Sequence, residues 1–348
     1  MASDNSTMIL FSSNSTVKYV RDIFNVLAMP ENAEYQFRYQ TKYVDSDARD
    51  SFRRGCKGSR ALVCFRSRHD CAAGEEFCIP IRWVIINEVK PVSDVYVVKF
   101  TSQSYPSFSN DYDKICHDID LLRNNAQGYF NRMSNNAFAV INGVLPAVRA
   151  ENTGRDDNWQ KIVNVISLLP EYKSSYLLKF SSLLNAEESS CERVSGRTKL
   201  IEGKMSYINI DYYQNIHDSD KKSKIEVSCD PNAINVTAGF GTDLQSRYDS
   251  LRIGFQAKKV MANTVSEITI RTIEESGNPL QTELVIPVKI ERNRREKIVK
   301  ASFTALGAFL VGLPALIGDD VILPIKVLIS LAGVIVLGAN SYFESREK

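Results

Sequence analysis

The sequence predicts three parts in series: an α+β N-terminal head, an all-β second domain of immunoglobulin-like sandwich type, and a C-terminal two-helix transmembrane hairpin. Residues 35–44 alternate aromatic and polar side chains, residues 203–292 hold six short strand segments between turn signals, and residues 301–317 and 321–343 form two apolar runs. The boundaries that follow are 1–185 for the head, 186–202 for a polar linker, 203–292 for the sandwich, 293–300 for a basic juxtamembrane segment, 301–343 for the hairpin and 344–348 for a tail.

In the head, Val17, Val20, Phe24 and Leu27 recur at helical spacing behind Ser15 and Thr16, which can cap, and Pro30 stops the helix. The period then changes to two: Tyr35, Phe37, Tyr39 and Tyr43 alternate with Gln36, Arg38, Gln40 and Lys42, which makes a half-buried strand. Further strands are expected at 61–66, 81–89 and 95–101, and helices at 111–127 and 157–169. In the second domain the strand candidates are separated by Asp-Pro, Gly-Phe-Gly and Gly-Asn-Pro turns, the spacing of a sandwich.

The apolar runs match the length of a bilayer span of about 30 Å at about 1.5 Å per residue. The basic stretch 289–300 before them, with Arg346 and Lys348 after them, keeps both flanks cytoplasmic by the positive-inside rule. A buried core hairpin and a shallow wedge kinked at Pro314 and Pro324 are the other readings of the same residues. Ala301, Ala305, Ala308 and Gly312 make a small-residue stripe suited to helix packing. Lys326, Ser330, Gly333, Leu337 and Asn340 share a face that could line a pore in an oligomer, although Lys326 could instead snorkel or pair with Asp319 or Asp320.

The charge balance, 43 Lys+Arg against 41 Asp+Glu for a net +2, excludes a strongly basic nucleic-acid protein, and 44% hydrophobic residues exclude a largely disordered chain. Seven cysteines, an odd number, and an N-terminus without signal-peptide character indicate a reducing compartment. Cys56, Cys64, Cys71 and Cys78, with His69 among them, are spaced too widely for the usual zinc knuckle, so the metal expectation is none, with Cys56, Cys71, Cys78 and His69 as weak candidates. No cofactor is expected. There is no phosphate-loop, dinucleotide, nucleophile-elbow or zinc-protease motif, and a non-enzyme is expected. The ligand candidates lie in 35–68: Arg38, Lys42, Arg49, Arg53, Arg54, Lys57, Arg60, Arg66 and Arg68, with Tyr39 and Tyr43, a basic and aromatic cluster suited to phosphates and stacked bases. A solvated basic face, or one drawn to anionic lipid, has the same composition.

A cytosolic head, a β-sandwich and a terminal pair of apolar helices, in that order, resemble the two-transmembrane effectors of bacterial anti-phage defence; the Hailong-type effector, a channel governed by DNA oligomers, is similar in this way. The resemblance covers the order of parts and the 301–343 hairpin, without a diagnostic residue motif, so no binding residue is carried over. It implies an oligomeric inner-membrane effector whose soluble head senses a nucleotide or oligonucleotide made by a partner enzyme and gates a depolarising pore. A membrane-tethered adaptor that docks a protein through its sandwich is the alternative.

Overall fold

The computed structural model describes residues 7–13, 15–68, 76–106, 139–143, 155–167, 169–172, 175–194, 196–214, 223–239, 241–260, 262–274, 282–316, 325 and 327–336. The chain forms two units, 1–290 and 291–348. In chain order the first unit opens with β1 (Thr7–Ser13), α1 (Val17–Ala28), β2 (Glu34–Gln40), α2 (Ser46–Arg54), β3 (Arg60–Arg68), β4 (Glu76–Val92), β5 (Val95–Ser102) and β6 (Val140–Gly143). These strands make one sheet in the order β2-β5-β4-β3-β1-β6. It contains one parallel pair, β1 and β3, and both strands carry continuous apolar runs, Met8–Phe11 and Ala61–Phe65, because both faces are buried.

The helix expected near 16–28 is α1. Thr16 caps it by accepting from the Tyr19 amide, and Val20, Ile23, Phe24 and Leu27 bury its apolar face against β1 and β4. On its flank Asp22 accepts a 2.7 Å hydrogen bond from the Tyr35 hydroxyl. Burial raises the Asp22 carboxyl above its ordinary value of 3.8, and Glu283 adds to the rise, while Tyr35 and Lys18 oppose it. With the folded value raised, the stability this group contributes is fully present below about pH 3.8 and is lost as pH rises through the folded value. Asp22→Asn retains the acceptor without the charge. It is therefore expected to be at least as stable as the parent at pH 7, with the difference closing toward pH 4; urea midpoints at both values test this, and a less stable variant at pH 7 would count against it.

The remaining elements are α3 (Arg155–Ile166), β7 (Leu177–Asn185), β8 (Arg193–Val194), β9 (Arg197–Ile201), β10 (Met205–Tyr213), β11 (Ser223–Cys229), β12 (Ile234–Ala238), β13 (Asp243–Leu244), β14 (Tyr248–Ala257), β15 (Thr264–Glu274) and β16 (Glu283–Glu291). They build a four-stranded sheet, β12-β14-β10-β7, and a six-stranded sheet, β13-β11-β15-β16-β9-β8. Period-two burial is clearest in β16, where Leu284, Ile286, Val288 and Ile290 point inward. Those residues share one core with Ile225, Ile268 and Ile270 from their own sheet and with Ile208, Ile210, Ile253 and Phe255 from the other. The first sheet with α1 and α3 surrounds a separate core. The two are tied where the buried Asn25 of α1 accepts from the Val285 amide of β16 at 2.7 Å.

The fold class expected from the sequence needs correction. The described chain is mostly β, with sixteen strands in three sheets. The immunoglobulin-like description does not fit, because β7, β8 and β9, which precede residue 203, belong to the two later sheets. Alternation alone could not show this, since a strand's partner is set by tertiary register.

The transmembrane hairpin is likewise not supported: among the described residues no helix is long and apolar enough to cross a membrane. In the second unit α4 (Arg294–Leu316) starts with the charged stretch 294–300, which leaves 301–316 as its uncharged part and places Pro314 inside it. Sixteen residues rise about 24 Å, short of a hydrocarbon core of about 30 Å. A further helical stretch spans 327–336. With the hairpin go the pore, the inner-membrane location and the channel role expected from it.

The helix contact also differs from the expected one. It runs through Gly307 and Gly333, both buried; a Cβ on Gly333 would lie 2.8 Å from the Val311 amide nitrogen and 2.9 Å from the Gly307 carbonyl oxygen. Ala305, Ala308 and Gly312 are exposed instead, and Ser330 is half-buried. Lys326 and Asn340 lie outside the described residues.

Candidate functional site

The carbonyls that end α1 and the loop after it cannot be satisfied within the helix. Side chains from elsewhere take them in turn. The Tyr105 hydroxyl donates to Leu27 O at 2.7 Å, Arg82 Nη1 to Met29 O at 2.9 Å, Ser102 Oγ to Pro30 O at 2.6 Å, and Arg193 Nη1 to Glu31 O. Two of these four donors are guanidiniums, which bring more charge and more N–H groups than a carbonyl can use.

Arg82 is 1% exposed, and its Nε also donates to Gln103 O at 2.6 Å. Its guanidinium lies 3.9 Å over the Tyr105 ring. It stands next to a bulge in β4: Val63 is opposite Arg82 and Cys64 opposite Pro80, so Ile81 is the extra residue. A second bulge interrupts β7, where Asn209 is opposite Ser182 and Ile210 opposite Phe180, with Ser181 between. Bulges re-aim side chains. Here they flank a cleft of about 250 Å³ lined by Arg82, Lys179 and Arg193, by Ser104, Tyr105, Asn158, Phe180 and Ser181, and by Met29, Pro30 and Glu31.

The electrostatics of this cleft are one-sided. Arg82, Lys179 and Arg193 supply three cations, and Glu31, exposed at the rim, is the single acid among the described residues that line it. Both arginines are held by neutral carbonyls, which fix them in place without cancelling their charge. Burial lowers the Arg193 pKa from its ordinary value, and the neighbouring Arg82 lowers it further. Lys179 Nζ lies 5.6 Å from the Trp159 ring centroid. Asn158, on the first turn of α3, is 2% exposed, and none of the described residues hydrogen-bonds its amide. Arg82 and Arg193, fixed in advance, partly shielded from water and without a carboxylate bonded to them among the described residues, form a site for an anion.

The residues expected from sequence are dispersed. Arg60 and Arg66 sit six residues apart on β3, about 20 Å along the strand. Arg60 stacks 4.0 Å from the Trp83 ring, and Arg66 is buried. On α2, Arg53 pairs with Asp50 at 3.2 Å, Arg54 donates to the Asp50 carbonyl, and Arg49 is half-buried with a buried Nε. Arg38 is exposed on β2, Lys57 is exposed in the turn after α2, and Lys42 covers the Tyr43 ring at 4.8 Å. Tyr39 belongs to the core, edge-on to Phe37, and is no stacking platform. The side chain of Arg68 lies outside the described residues.

Cys56 and Cys64 are buried and in no disulfide, and among the described residues no three His, Cys, Asp or Glu side chains could hold a metal ion. His69, Cys71 and the side chain of Cys78 lie outside that set. The signal for the observed cleft was present in the sequence: Arg82 is a lone cation inside the otherwise apolar segment 79–86, and Lys179 interrupts Leu177–Phe180 in the same way. A cation in an apolar strand needs a buried partner.

No family model matches the chain, and no curated protein matches it.

Proposed function

We propose that the first unit is a non-catalytic binding module for a small phosphate-bearing ligand, held in the cleft of Arg82, Lys179 and Arg193. The observation that carries this reading is the pair of arginines, Arg82 buried and Arg193 half-buried, anchored on backbone carbonyls and, among the described residues, without a carboxylate partner. The ligand-sensing part of the expected function is kept and placed at new residues, while the gated pore has no part in it.

Titration calorimetry of the full chain with pyrophosphate tests the reading. Binding that weakens at least about tenfold in Arg193→Ala is expected, because a charge-assisted hydrogen bond contributes about 1.5–3 kcal/mol. Arg193 anchors a single carbonyl and is only half-buried, so the variant is expected to remain folded. No detectable heat with the parent, or equal affinity in Arg193→Ala, would overturn the assignment.

A further inference from the structure

Resting on the anion-site reading, we propose that the ligand of the cleft is a 5′-mononucleotide, its phosphate held by the arginines and an edge of its base read by Asn158. Volume is the first argument. A phosphate group of five heavy atoms displaces roughly two to three waters, or 60–90 Å³ at about 30 Å³ per water. The cleft offers about 250 Å³, so well over half of it is left for an organic remainder. A free phosphate would leave that space wet and the aromatic wall unused.

The lining gives the second argument. Beside the cations stand the rings of Tyr105 and Phe180 and the apolar surfaces of Met29 and Pro30, which suit a flat, weakly polar group. Arg82 already stacks on Tyr105 at 3.9 Å and Arg193 lies 5.6 Å from the Phe180 centroid, so guanidinium and aromatic planes both line the space. Each can stack on a base.

Asn158 gives the third argument, independent of charge. Its carboxamide presents a donor at Nδ2 and an acceptor at Oδ1 side by side. The residue is 2% exposed, lines the cleft and has no hydrogen-bond partner among the described residues. A phosphate oxygen could satisfy only the donor. A nucleobase edge carries an acceptor next to an N–H and satisfies both, the bidentate pairing by which Asn reads adenine. A sugar phosphate, with hydroxyls but no flat edge, matches neither the amide nor the rings.

The test measures the affinities of AMP, GMP, CMP, UMP and ribose 5-phosphate for the full chain and for Asn158→Leu. At least one nucleotide is expected to bind about tenfold or more tightly than ribose 5-phosphate. In Asn158→Leu this preference should collapse toward one, with ribose 5-phosphate affinity changing by less than about threefold. Equal affinities for all five ligands in the parent, or a variant that retains the preference, would overturn the base-reading role and leave the anion site standing. Failure of every phosphate compound to bind would overturn both. Asn158→Ser, which removes the amide while keeping a polar group, replaces the leucine variant should that one fail to fold, and the parent's ranking decides independently of either.

Discussion

Replacing Arg82 by Leu is expected to lower stability by about 3 kcal/mol or more and to abolish pyrophosphate binding. The loss has two sources. Met29 O and Gln103 O each lose a donor in a site where water cannot easily follow, at about 1–3 kcal/mol per unmet group. The Tyr105 ring also loses the guanidinium packed on its face. Because Met29 ends α1, the helix should fray from that end. Urea denaturation with an unchanged m-value would report the stability change, and hydrogen exchange across 25–31 would locate it. A variant as stable as the parent would show that the carbonyls are satisfied without Arg82. Arg82→Lys should recover only part of the loss, since an ammonium cannot span two carbonyls and keep the planar stack. The contrast with Arg193→Ala is informative. Both remove a cation from one cleft, but only Arg82 also supports the fold.

Phe255→Ala is the second large effect. Phe255 lies on β14, 1% exposed, in the core shared by the four-stranded and six-stranded sheets. Truncation of a buried Phe removes its burial and leaves a cavity, at about 3–5 kcal/mol. Against a typical total of about 5–15 kcal/mol, that is enough to lower the midpoint of unfolding steeply. Since Asn25 joins α1 to β16, loss of this core is expected to weaken ligand binding as well, by loosening α1 and the loop after it, whose carbonyls hold both arginines. Calorimetric melting and pyrophosphate titration of the same preparation test both. A lower melting temperature with unchanged affinity would show that the cleft does not depend on the second core.

Local pattern decided the elements, because a helix or strand shows its buried face in its own period. The capped helix from Val17 to Ala28, the strand that starts at Glu34, and the alternation of β10, β14 and β16 follow from residues close in sequence. Composition likewise marked 301–316 as apolar. Whether such a run crosses a bilayer depends on the length that is both helical and uncharged, and that length is set by where charges and Pro314 fall along the helix.

The cleft was decided only by tertiary structure. Arg82, Lys179 and Arg193 are more than a hundred residues apart at the extremes, and Asn158 belongs to another element again. They meet because the end of α1 and the loop after it have carbonyls to satisfy and two bulges, in β4 and in β7, lie in strands of different sheets beside them. The basic cluster at 35–68 stood out instead because its members are adjacent in sequence, yet β3 carries Arg60 and Arg66 to points about 20 Å apart. Sequence proximity concentrates charge along the chain, whereas the side chains that water is kept from are chosen by packing.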